Sequence, residues 1–168
     1  MLDLYKQLVV SQFEAALAML NQCIAACPPE HWEGKIANGS FRWAAYHTLF
    51  FADLYLSPSE EAFQRRDLHL RGGDEAGDEA TPGLSKEETL TYVPLVRQKL
   101  LDTMAAETAE SLAGPSGFSW RKFSRAEIHI YNIRHIQHHA GQMSAYLRRA
   151  APDLFPEKSL PWIGAGWR

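Results

Sequence analysis

The residues of this chain best suited to hold a metal ion are two histidines one helical turn apart, in the run His135-Ile-Gln-His-His139. Side chains at i and i+4 share one helix face, which is how helical histidine pairs chelate. At about 100° per residue, Ile128, Asn132, His135, His139, Gln142, Met143 and Tyr146 fall within roughly a third of the circumference, and Ile136 and Leu147 extend that face. Arg134, Gln137, Gly141, Ser144 and Arg148 lie opposite, towards solvent, and His138 falls on the polar edge. A third imidazole, His47, shares a face with Trp43, Phe50, Phe51 and Leu54 in an upstream aromatic segment. Helices packed about 8–10 Å apart let such rings meet.

A lone inward histidine is usually a core residue held by one or two hydrogen bonds, and His31, His69 and His129 take that reading. His47, His135 and His139 instead compete for partners among apolar neighbours, where an unpaired buried polar group costs about 1–3 kcal/mol. Three neutral imidazoles would leave a divalent ion its full charge and an open coordination position, as in catalytic zinc sites. Such an ion suits two chemistries: hydrolysis by an acidified water, or transfer through a thiol held as thiolate. Hydrolysis needs a general base, and no Asp or Glu shares the inner face near His135 and His139. Asp53 lies about 240° around its helix from His47. Glu14 and Asp102 remain open as bases, and Gln142, Tyr146 and Asn132 are candidate pocket or orienting residues, with ordinary interior polar roles as the alternative. Three imidazoles suit zinc, nickel, copper or iron alike.

Four helical segments must position these residues. The first, 4–26, carries the apolar stripe Tyr5, Leu8, Val9, Phe13, Ala16, Leu17, Leu20 and Ile24 and ends at Pro28-Pro29. The second starts at Ser40, a suitable N-cap, and runs to Leu56 before Pro58. The third opens with the capping-box pattern Ser85-Lys-Glu-Glu88 and continues to Leu112, with Pro94 expected to kink it or move its start later. The fourth spans 124–149. No strand alternation of useful length appears, so the fold class is all-α: a four-helix bundle with a long crossover connection between the second and third helices. That connection includes Asp74, Glu75, Asp78 and Glu79, whose spacing does not match an EF-hand loop, so they read as solvated. Residues 1–150 form the bundle, and 151–168 form a tail whose Phe155, Trp162 and Trp167 should pack on the bundle or a partner.

Composition narrows the functional classes. With 168 residues, 46% of them hydrophobic, the chain suits one domain with a buried core. A net charge of −3 with scattered basic pairs (Arg65-Arg66, Arg121-Lys122, Arg148-Arg149) gives no face for nucleic acid. Neither a membrane span nor a signal peptide is expected, which makes the cytoplasm the default compartment. Cys23 and Cys27, one turn apart, read as small core residues rather than a disulfide.

The aromatic stretch Phe41-Arg-Trp-Ala-Ala-Tyr-His47-Thr-Leu-Phe-Phe51, followed by His135-Ile-Gln-His-His139-Ala-Gly-Gln142, resembles the DinB-like (DinB/YfiT-like) superfamily of metal-binding bundles. The likeness covers roughly residues 1–150, including helix order and the long connection, and the Trp162/Trp167 tail also looks like the ending of some members. The resemblance implies zinc or nickel at His47, His135 and His139, a homodimer, and a small-molecule substrate. Since some relatives use a low-molecular-weight thiol, it puts a thiol-dependent transferase first. A metal-dependent hydrolase and a non-catalytic metal- or ligand-binding stress protein are the alternatives.

Overall fold

The computed structural model describes residues 1–36, 39–72, 83–154 and 160–167. The fold is all-α. Among the described residues there are six α-helices, α1 (Leu2–Ala26), α2 (Phe41–Leu56), α3 (Asp67–Gly72), α4 (Lys86–Ala106), α5 (Ala109–Ala113) and α6 (Arg125–Ala150). A minimal antiparallel hairpin, β1 (Lys35–Ile36) with β2 (Gly39–Ser40), leads into α2.

Local chemistry fixes the helix starts. The Ser40 side chain accepts from Trp43 N at α2, and full capping boxes pair Ser85 with Glu88 at α4 and Ser124 with Glu127 at α6. The structure corrects two sequence expectations at the third segment. Pro94 does not move the start of α4 later, because Ser85 already fixes that start, and the proline sits exposed within the helix. The helix also stops at Ala106 rather than Leu112, since Glu107 takes an extended conformation and Thr108 caps the separate α5 with Ser111.

α1 packs against α4 and α6, and α2 packs against the same two helices. Pairings along these seams give the directions. Tyr5 meets Ala126 and Cys23 meets Ala140, so α1 and α6 run parallel. Lys6 meets Ala105 and Glu14 meets Arg97, so α1 and α4 are antiparallel. Asp53 meets Lys99 and Leu56 meets Thr103, so α2 and α4 run parallel. Parallel neighbours force the chain between them to travel back along their length, which explains the long connection. It joins helices lying side by side, not helices placed across the molecule. The expected acidic loop residues and Phe155 lie outside the described residues.

The core runs the length of the four long helices, with Phe13, Leu17, Leu20, Phe41, Tyr46, Leu49, Phe50, Tyr92, Ile128, Ile136 and Met143 all buried. Leu8 departs from its expected stripe and is 55% exposed. By length and composition α1 is apolar enough to cross a membrane, but over half of that stretch is buried inside the fold. Cys23 and Cys27 are free and buried, and burial raises both thiols to about 12, which leaves them inert. Residues 160–167 follow α1: Ile163 packs on Ala15 and Ala18, and Gly166 N donates to Ser11 O at 2.9 Å.

Candidate metal centre

The antiparallel packing of α2 on α6 sets two rows of side chains against each other. Trp43, His47, Phe51 and Tyr55 recur every four residues along α2, and His139, His135 and Tyr131 descend α6 opposite them. His47 lies 5.5 Å from His135 and 5.1 Å from His139, ring centre to ring centre, and the two α6 rings are 4.7 Å apart. One nitrogen from each ring falls within 4.8 Å of the others, so the group can hold a metal ion. Nitrogens around a tetrahedral zinc sit roughly 3.3 Å apart, against up to 4.8 Å here.

The surroundings suit a divalent ion in three respects. First, burial lowers the His135 pKa to about 2 and the His139 pKa to about 4, the neighbouring imidazoles adding to the effect. Both rings are therefore neutral, the form that ligates. Second, His139 Nδ1 donates to Gln142 Oε1 at 2.8 Å, which leaves Nε2 as a lone pair. Third, His135 Nδ1 is buried with no hydrogen-bond partner, an unmet polar atom of the kind that a ligand or ion satisfies.

Aromatic rings wall the cluster. Trp43 lies 4.6 Å and Phe51 4.8 Å from His47, and Tyr131 stacks nearly parallel to His135 at 6.5 Å. Gly39 makes room for the tryptophan, since a Cβ there would come within 2.7 Å of its ring. His138 is exposed on the helix edge, 5.1 Å from the His139 ring.

Other candidates turn elsewhere. Asn132 Nδ2 donates to Ala52 O at 3.0 Å, and Tyr146 Oη pairs with His31 Nδ1 at 3.2 Å, so Gln142 alone of the three flagged polar residues contacts a cluster imidazole by a hydrogen bond. Glu14 binds Arg97, Asp102 is exposed and accepts from Gln98, and Asp53 is buried against Lys99 and Tyr92. His69 and His129 are core residues bound to Tyr92 and Glu107.

Arg121 joins the site without a motif to mark it. Its Nη2 donates to Tyr131 Oη at 2.7 Å and to Tyr55 Oη at 3.3 Å, at the end of the two aromatic rows. The signal was its position, three residues before the N-cap of the histidine helix in a loop opened by Gly114-Pro115.

An all-α fold presenting three converging imidazoles from two helices defines a class of helical protein equipped for a metal ion. The chain belongs to the DinB superfamily, whose family model matches residues 12–143. No curated protein and no solved structure gives a significant match.

Proposed function

We propose that His47, His135 and His139 bind one divalent transition ion, zinc or nickel, on a four-helix-bundle scaffold, and that the protein is a thiol-dependent transferase acting on a small molecule. The observation that carries this reading is a three-imidazole cluster to which, among the described residues, no carboxylate is added. A divalent ion there would supply an undiminished positive charge that keeps a thiol ionised near neutral pH. The chain's own residues would do the rest. Gln142 holds His139 in the ligating tautomer, and the Trp43, Phe51 and Tyr131 rings exclude water around the reacting group.

Hydrolysis is less well served, because a base is wanted beside the ion. The carboxylates left open by the sequence, Glu14 and Asp102, are engaged on α1/α4 and at the surface of α4.

Titrating the cobalt-substituted protein with a low-molecular-weight thiol tests the proposal. An intense thiolate-to-cobalt charge-transfer band is expected, and it should vanish in His135→Ala. Stoichiometric cobalt with no such band at saturating thiol would overturn the transferase reading. In that case, chelator-sensitive turnover in an ester and amide screen would establish hydrolysis instead. Failure to take up any divalent ion would overturn the metal centre itself. A homodimer is also proposed, following the superfamily resemblance, and sedimentation as a monomer at micromolar concentration would remove it.

A further inference from the structure

Six buried side-chain polar atoms among the described residues have no hydrogen-bond partner. Four of them, Trp43 Nε1, Asn132 Oδ1, His135 Nδ1 and Arg121 Nε, belong to the α2–α6 seam or to the residue closing its end. Unmet buried polar atoms are costly, so their concentration in one seam points to a ligand that supplies partners there.

Arg121 gives that ligand its chemistry. Other arginines hold a carboxylate: Arg42 binds Glu33, Arg97 binds Glu14 and Arg125 binds Glu107. Arg121 binds none among the described residues. Its Nη2 hydrogens go to two tyrosines, its Nε has no partner, and its guanidinium carbon lies 4.6 Å from the Tyr131 ring centre. The same Tyr131 ring stacks on His135 at 6.5 Å, so a single side chain separates the guanidinium from the imidazole cluster. Arg121 also lines an open cavity of about 540 Å³ whose walls are residues of the 113–124 loop, Phe118 and Phe123 among them. A guanidinium anchored on tyrosines through Nη2 and lacking an anion can take a carboxylate by a charge-assisted hydrogen bond from its remaining donors.

We propose that Arg121 is a specificity-determining residue that binds the carboxylate of a small-molecule substrate lying along the α2–α6 seam, with the substrate's reacting end at His47, His135 and His139. This deepens the functional reading above and rests on it for the position of the reacting end. The substrate class is an elongated monocarboxylate whose midsection lies against Tyr131 and Phe51.

A matched pair of probes tests it: 6-mercaptohexanoate and 6-mercaptohexanol, titrated into the cobalt-loaded protein and followed by the thiolate band. The carboxylate should bind at least tenfold more tightly in the wild type. Arg121→Gln, which can still donate to the tyrosines, should lose that advantage while leaving the alcohol's affinity unchanged, and Arg121→Lys should recover part of it. Equal binding of the two probes, or an advantage that survives in Arg121→Gln, would overturn the assignment. Absence of a thiolate band with either probe would be a failure of the thiol reading, and Arg121 would then be judged by NMR. A saturable shift of its Nε–H resonance with 3-phenylpropionate, not reproduced by 3-phenylpropanamide, would uphold the carboxylate site. No shift would sink it.

Discussion

A histidine offered to a metal must present one ring nitrogen as a lone pair, and the bond made by its other nitrogen decides which one. For His139 that bond is Nδ1–H to Gln142 Oε1, made within one turn of α6. Replacing Gln142 with Leu keeps the side chain's bulk and removes the acceptor, so the ring is free to rotate and to change tautomer. Affinity for zinc should fall ten- to a hundredfold, the usual effect of losing a partner that orients a ligand. Gln142→Glu, which accepts more strongly, should hold or raise it. Competition against a chromophoric chelator measures both, and an unchanged affinity in Gln142→Leu would show that the aromatic wall alone fixes the ring. Thermal stability of the metal-free variants serves as the control, since a purely structural glutamine would lower it without a separate loss of zinc.

The elements that carry the cluster are fastened at one end by Arg125. Its Nη1 donates to Tyr55 O and Ser57 O and its Nη2 to Leu56 O, so it closes the free carbonyls of α2. Its Nε meets Glu107 at 2.8 Å, and His129 adds a second donor to the same carboxylate. Three helix ends thus share one buried junction. Glu107→Gln leaves the guanidinium without its counter-charge and should cost about 3–5 kcal/mol, read as a lower urea midpoint at unchanged slope. A loss below about 1 kcal/mol would mean that the pair behaves as a surface bridge. This junction also shows what could be read from the chain and what could not. The capping box at Ser85 and the four-residue spacing of His135 and His139 are local, so the start of α4 and the inward face of α6 were legible. The break at Glu107 was not, because it answers Arg125 and His129, which lie 18 and 22 residues away. The same holds for Arg121, whose tyrosine partners are assembled only by tertiary packing. Partners for His47 could be expected on the core side of α6, but their distance could not.

At the scale of the whole molecule, buried neutral histidine makes folding sensitive to acid. His69 is enclosed by Phe50, Phe63 and Tyr92, and the charged groups facing it are Asp53, Arg65, Arg66 and Lys99. Arg66 N donates to its Nδ1, which puts the proton on Nε2, donating to Tyr92 Oη, which in turn donates to Asp53. Burial lowers its pKa from 6.5 to about 4, the three cations adding to the effect and Asp53 opposing it. Below pH 6.5 the unfolded chain therefore takes the proton before the folded one does. The contribution is fully present above that value and is lost as the pH falls towards 4, by up to about 1.4 kcal/mol per pH unit. Glu107 acts in the next window down. Burial opposes its ionisation, but hydrogen bonds from His129, Ser111 and Arg125 outweigh that and hold its pKa at about 2. Its contribution is complete above the ordinary carboxylate range and is lost as the pH falls from there through that value. Urea midpoints of the chelated protein and of His69→Gln, measured from pH 8 to pH 3, isolate the histidine as a difference. The stability gap between them should be constant above pH 6.5 and shift in favour of the variant below it. A gap that stays flat across that range would mean that His69 takes up its proton without leaving the fold, with Asp53 stabilising the charge.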